Sequence, residues 1–282
     1  MTAVMVRWWW QAAAMDRLDA LRAKYARAQE HRIAFSDALD RWLTSMPYGV
    51  RGRSDPSGWF VIRLVAQQQP PLALSVIFAD MISNLRATLD HIVWALVEES
   101  GNATHDQLGF PCVLDRKDWK AALGSKLMNV TPEWIPQIEH AQPFVALDAR
   151  RHPMHVLQRL DIWTKHRLLV PFEPSTFEWE ATYTVNRKIR DDDLRIEHVA
   201  PPGTRLVDGV ELARVRFFSK TADLHVTGIQ AVTDAGAGWG PRLDELGFSG
   251  EDVLPDLMAF VETQVDTFAP AFRRHAASAL SP

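Results

Sequence analysis

The sequence predicts an α+β fold, a bundle of about four long helices with an antiparallel sheet inserted before the last of them. Three observations carry that prediction. Apolar residues recur at three- and four-residue spacing over residues 15–42, 74–99, 153–169 and 252–275. Between the last two stretches the period changes to two: Phe177, Trp179, Ala181, Tyr183 and Val185 alternate with Glu178, Glu180, Thr182 and Thr184. No strand–helix–strand alternation of the parallel kind surrounds either pattern.

Residues 1–14 stand apart. Trp8-Trp9-Trp10 follows Arg7, and Ala12-Ala13-Ala14 precedes Met15. They read as a disordered leader, with Met15 an alternative start. A signal peptide fits less well, because Arg7 interrupts a short apolar stretch that has no basic front. One α+β domain is expected over residues 15–282, its bundle in 15–170 and 250–276 and its sheet in 175–235.

The first helix turns Leu18, Leu21, Tyr25, Ala28 and Ile33 inward, and Phe35, Leu39 and Trp42 continue the stripe with a shift of face. Pro47 and Gly49 end it, and Ser54-Asp55-Pro56-Ser57-Gly58 reads as a loop. Trp59 to Gln67 is rich in β-branched and aromatic residues and predicts a strand able to join the sheet. Pro70-Pro71 closes it. From Leu74 to Glu99 the helical stripe is Ile77, Met81, Leu85, Leu89, Ile92 and Leu96, and Gly101 stops it. Residues 102–149 are mixed, with short helices expected near Trp119 and Trp134. Pro153 suits the first turn of a helix that runs to Leu169 and turns Val156, Leu160 and Trp163 inward. Asp208-Gly209, inside Leu206 to Val210, predicts a hairpin turn. Glu211 to Phe218 and Leu224 to Val232 complete the antiparallel set, and Gly236 to Gly240 is a loop. Leu254, Leu257, Phe260, Val261, Val265 and Phe268 face inward on the last helix.

Composition narrows the function classes. The net charge of −4 argues against a generally basic nucleic-acid binder, so any phosphate contact must come from a local patch. Cys112 is the single cysteine and forms no intrachain disulfide, which fits a reducing, cytoplasmic setting. No uninterrupted apolar run approaches the ~20 residues of a membrane span, and no membrane partner is expected. The tryptophans fall mostly at apolar-stripe positions.

Two charged patches interrupt the apolar helices. One is Asn84-Leu85-Arg86-Ala87-Thr88-Leu89-Asp90-His91; the other is Arg159-Leu160-Asp161-Ile162-Trp163-Thr164-Lys165-His166-Arg167. Charged groups on a core-forming helix are costly unless paired. On a straight helix Asn84 and His91 lie about 20° apart, whereas Arg86 and His91 lie about 140° apart. Arg86 and Asp90 share the other shoulder in i,i+4 spacing, as an ion pair would. On the second helix His155, Arg159 and His166 form a basic shoulder, and Asp161 reaches Lys165 at i,i+4. Two readings stand open. The clusters are structural, joining helices or holding a ligand or partner, or they form a polar site in which His91 does chemistry.

The pairing of the first motif with Asp161 and the downstream Lys165-His166-Arg167 resembles a group of uncharacterised bacterial and phage proteins. In these a helix with the first motif precedes a Phe-Pro loop, here Phe110-Pro111. The resemblance covers residues 60–170 and implies the helix–sheet–helix layout but no activity. Arg86 followed by His91 also resembles the Arg-x4-His spacing of HEPN-type bundles. That resemblance implies a ribonuclease working without metal across a homodimer interface, with RNA as its partner. His91 would then be the general acid/base and Arg86 the phosphate-stabilising group, with His166 as a third catalytic candidate. Asn84, Asp90, Arg159, Lys165 and Arg167 would orient His91 or bind substrate.

No cofactor is expected. A DinB-like three-histidine metal site drawn from His91, His152, His155 and His166 is a further alternative, although no H-E-x-x-H or Glu-x-x-His motif lies on these helices. Gly236 to Gly240 is not a dinucleotide loop, since no βαβ unit surrounds it. Cys112 reads as a small buried thiol rather than a nucleophile.

Overall fold

A computed structural model describes residues 17–45, 48–166, 178–185, 194–198, 200–201, 204, 207–218, 226–234 and 253–278. The leader, Arg167, the helix end at Leu169, Phe177, Leu206, Leu224 and Gly236 to Gly240 lie outside these residues. The fold is α+β, with long helices and antiparallel strands.

The chain order is α1 (Arg17–Thr44), β1 (Tyr48–Ser54), β2 (Trp59–Ala66), α2 (Leu72–Glu99), α3 (Trp119–Ser125), α4 (Ile135–His140), α5 (Pro153–His166), β3 (Glu178–Val185), β4 (Leu194–His198), β5 (Glu211–Phe217), β6 (Val226–Asp234) and α6 (Val253–Ser278). Short 3-10 turns precede α3 and α4. The chain divides into two compact units. The first holds Met1–Phe35, Val76–Leu169 and Asp252–Pro282; the second holds Ser36–Ser75 and Val170–Glu251.

The first unit is helical, and α2 is its most buried element. Met81, Ile82, Leu85, Leu89, Ile92, Val93 and Leu96 are fully enclosed. Leu18, Leu21, Tyr25 and Ala28 of α1 are also buried, as are Met154, Val156, Leu157 and Leu160 of α5 and Leu257, Val261, Val265 and Phe268 of α6. Some inward expectations fail, and Ile77 of the α2 stripe is only half-buried. Ile33 is 54% exposed, because the face shift in α1 comes before Phe35. Leu254 and Phe260 are half-buried at the edge of the α6 stripe. The Tyr25 hydroxyl donates to the Met258 carbonyl at 3.3 Å, tying α1 to α6.

Among the described residues α2 alone has the length and mean hydropathy (1.4) of a membrane-crossing helix. That mean is taken over residues 72–89 and passes over Asp80 and Arg86, which interrupt the apolar run in the sequence. Half of that stretch is buried within the fold, and burial on several sides already accounts for its apolarity.

In the second unit the sheet order is β1-β2-β5-β4, all antiparallel. The sequence does not mark β1 or β4, because β1 carries Gly49 and Gly52 in its run and β4 is only five residues long. β1 pairs with β2 through a hairpin around Asp55. The Asp55 carboxylate accepts from the Ser57 and Trp59 amides, each at 2.9 Å, and Gly58 takes φ +84. The register slips between Ile62 and Arg63, which pair with Ala213 and Glu211. Sequence neighbours Leu212 and Ala213 are therefore both buried, as a bulge allows. The Asp208-Gly209 turn is present, with Gly209 at φ +80. It also seats on the end of β2, where Asp208 accepts from the Ala66 amide at 3.0 Å. β3 pairs with β6 in a separate two-stranded ribbon, so the predicted strands do not form one set.

Candidate functional site

The Arg86 side chain is 8% exposed, yet its charge is matched. Nη2 donates to Asp90 Oδ1 at 2.7 Å and to the Phe110 carbonyl at 2.6 Å, while Nη1 lies 3.8 Å from Met154 Sδ. Asp90 Oδ1 also accepts from the Phe110 amide at 2.9 Å. The i,i+4 pair on α2 thus grips both backbone polar groups of Phe110 and reaches α5. Phe110 is fully buried and meets Phe268 of α6 edge-on at 6.4 Å. Gly109 is needed for the close approach, since a Cβ there would sit 2.9 Å from Asp90 Oδ1.

Beside this clamp lies a cleft of about 370 Å³. Its polar lining comes from Arg86 and Asp90 on α2, Cys112 on the following loop, Lys126 after α3, and Gln158, Asp161 and Lys165 on α5. The Asp90 side chain is 34% exposed but enclosed by protein on its other sides, as befits a carboxyl in a narrow opening. Burial raises it above the ordinary carboxylate range, Arg86 and the Phe110 amide oppose that rise, Lys126 also opposes it, and Asp161 adds to it. Burial pushes the Cys112 thiol up to about 11, with Arg86 opposing, so it is not a thiolate at neutral pH. The thiol points to the Met154 carbonyl at 3.8 Å.

Asp161 is the unexpected member. Its side chain is only 5% exposed. Oδ2 accepts from Lys165 Nζ at 2.7 Å. Oδ1 is buried and has no hydrogen-bond partner among the described residues. Its position was legible as a pattern: Met154, Leu157 and Asp161 follow the i, i+3, i+7 spacing of an inward face. The ion pair with Lys165 has its acidic partner in the interior and its basic partner at the surface.

The other sequence candidates lie elsewhere. His91 is exposed and lines a separate hollow with Arg17, Leu21, Trp94 and Glu98. Burial, and then Lys24, hold its imidazole below the usual range, with Asp90 opposing. Arg86 is absent from that hollow, as their angular separation on α2 requires. Asn84 donates to the Asp80 carbonyl of its own helix at 2.7 Å. Arg159 lies over the Trp163 ring at 5.4 Å, and His166 is exposed at the end of α5. The structure therefore brings Arg86, Asp90 and Lys165 together and leaves His91, Asn84 and Arg159 out of that cleft. Among the described residues no group of three or more His, Cys, Asp or Glu side chains could hold a metal ion; this includes His91, His152, His155 and His166.

No family model matches the chain, and no curated protein or solved structure matches it.

Proposed function

We propose that this protein binds a small polar molecule without transforming it, in the cleft between α2, the Phe110–Val113 loop and α5. The observation that carries the reading is the buried, unpaired Oδ1 of Asp161 in a cleft wall. An acceptor left unmade in a protein interior costs stability, and such a cost is commonly retained at functional sites. The Arg86–Asp90 pair supports this reading as the frame of the cleft. Its Nη2 is engaged by a carboxylate and a carbonyl and its side chain is only 8% exposed, so little of it is open to a phosphate.

The test is the thermal stability of Asp161→Leu and Asp161→Asn in the absence of small molecules. Lys165 is 57% exposed, so water can solvate its ammonium once the carboxylate is gone. Both variants should melt at or above the wild-type temperature. A fall of more than about 4 °C in both would make Asp161 a structural residue and overturn the reading.

A second reading, the metal-independent ribonuclease, draws support from His91 alone. Its imidazole is accessible and held toward the neutral form, as a general base needs. Arg17 lines the same hollow, although Glu98 and Glu99 already bind it. RNA cleavage in EDTA separates the two readings. Ligand binding alone predicts no cleavage above that of a folded His91→Ala variant; cleavage lost in that variant would establish the ribonuclease.

A further inference from the structure

A second cleft, of about 490 Å³, lies in the helical unit between α4, the turn before α5, and α6. It shares no lining residue with the cleft at Asp161. Pro136, Ala141 and Phe260 give it apolar walls, and no Asp, Glu, Lys or Arg is among the described residues that line it. Gln264 is its one buried polar side chain, 7% exposed. The Gln264 amide makes no hydrogen bond among the described residues, yet neither its oxygen nor its nitrogen is sealed off from solvent. Gln264 lines this cleft, so the surface its amide keeps opens there. A donor and an acceptor thus stand side by side without partners, at a cost in stability. The neighbouring polar groups add no charge. Burial, and then His155, hold the His152 imidazole below its usual range, and its Nδ1 accepts from the Met154 amide at 3.2 Å, which leaves the ring proton on Nε2. The Thr263 and Thr267 hydroxyls donate to carbonyls of their own helix at 2.8 and 2.7 Å, so they offer the cleft only lone pairs.

We propose that this second cleft takes an uncharged planar ring with an amide-type edge, a hydrogen-bond donor beside an acceptor, which pairs with the Gln264 side chain while the body of the ring lies against Phe260 and Pro136. Nucleobases and aromatic carboxamides both present such an edge, and a glutamine pairs with adenine through two bonds of this kind. An ion would leave water for walls that hold no counter-charge. An apolar molecule would fill the space but leave the amide unpaired. A ring with the matching edge meets both conditions, and about 490 Å³ falls within the range of small-molecule pockets.

Isothermal titration of the full chain with matched probes tests the proposal. Adenosine and benzamide carry the edge. Nebularine, which is adenosine without its amino group, and acetophenone keep the ring and lose the donor, and benzoate replaces the amide with a charge. Adenosine or benzamide should bind at least about tenfold tighter than its donorless counterpart, and the pair that shows the difference tells a nucleobase from a carboxamide. Gln264→Met keeps the length of the side chain and deletes the amide. It should melt at or above the wild-type temperature and abolish the difference within the pair. The proposal is overturned if the donorless rings bind as well as their counterparts, if benzoate binds as well as benzamide, or if Gln264→Met keeps the wild-type affinities. Absence of heat with every probe up to about 10 mM overturns it too. So does a fall of more than about 4 °C in the melt of Gln264→Met, which would make the amide a structural group. None of these outcomes bears on the cleft at Asp161, whose melts need no ligand.

Discussion

Replacing Arg86 with Met keeps an apolar stem of similar length and deletes the guanidinium. Two losses follow. The Phe110 carbonyl, now buried without its donor, costs about 1–3 kcal/mol. The Asp90 carboxylate loses its cation, but because it is one-third exposed water screens that loss to about 1 kcal/mol. The total is about 3 kcal/mol, or roughly 6–12 °C in melting temperature if the helical unit melts cooperatively. Asp90→Asn should cost much less, since an amide oxygen still accepts from Arg86 and from the Phe110 amide.

The loss should also depend on pH. Asp90 is raised in the folded state, so its contribution to stability is fully present below the unfolded carboxylate value and lost as pH rises through the folded value. Arg86 opposes that rise. Without Arg86 the folded value climbs further, and the penalty of Arg86→Met grows between about pH 4 and neutrality. At acid pH only the orphaned carbonyl remains. Urea unfolding of wild type, both single variants and the double variant across this range measures all the quantities. A loss below about 1 kcal/mol at pH 7, or one flat with pH, would refute the clamp.

Three further outcomes follow from the same geometry. Gly109→Ala places a methyl group 2.9 Å from Asp90 Oδ1 and should destabilise by about 1–3 kcal/mol in the same unfolding assay; a neutral result would mean that the clamp yields freely. Cys112 should react with iodoacetamide more slowly than free cysteine at pH 7 and accelerate toward its raised value of about 11; fast alkylation at neutral pH would show a thiolate. Tyr48, raised to about 12 by burial, should ionise later than an exposed tyrosine in an ultraviolet titration compared with Tyr48→Phe, and a midpoint near 10 would contradict its enclosure.

The sequence by itself determined the long helices, because a stripe of apolar residues at helical period has one way to be buried. The stripe from Met81 to Leu96 and the set Val156, Leu160 and Trp163 all face inward. Helical angles alone also separated Arg86 and Asp90 from His91. A strand such as Tyr48–Ser54, with Gly49 and Gly52 in its run, carries too little alternation to be read, since partner strands rather than local preference hold it. Tertiary structure decided the site. Phe110 lies 20 residues beyond Asp90, and only folding brings its amide within 2.9 Å of that carboxylate. An i,i+4 pattern such as Asp161 and Lys165 is the same string whether it faces water or the interior. The surrounding elements leave the Asp161 side chain 5% exposed, with one oxygen unpaired among the described residues. Burial against elements distant in sequence, which no local pattern encodes, turned an ordinary helical ion pair into part of a cleft wall.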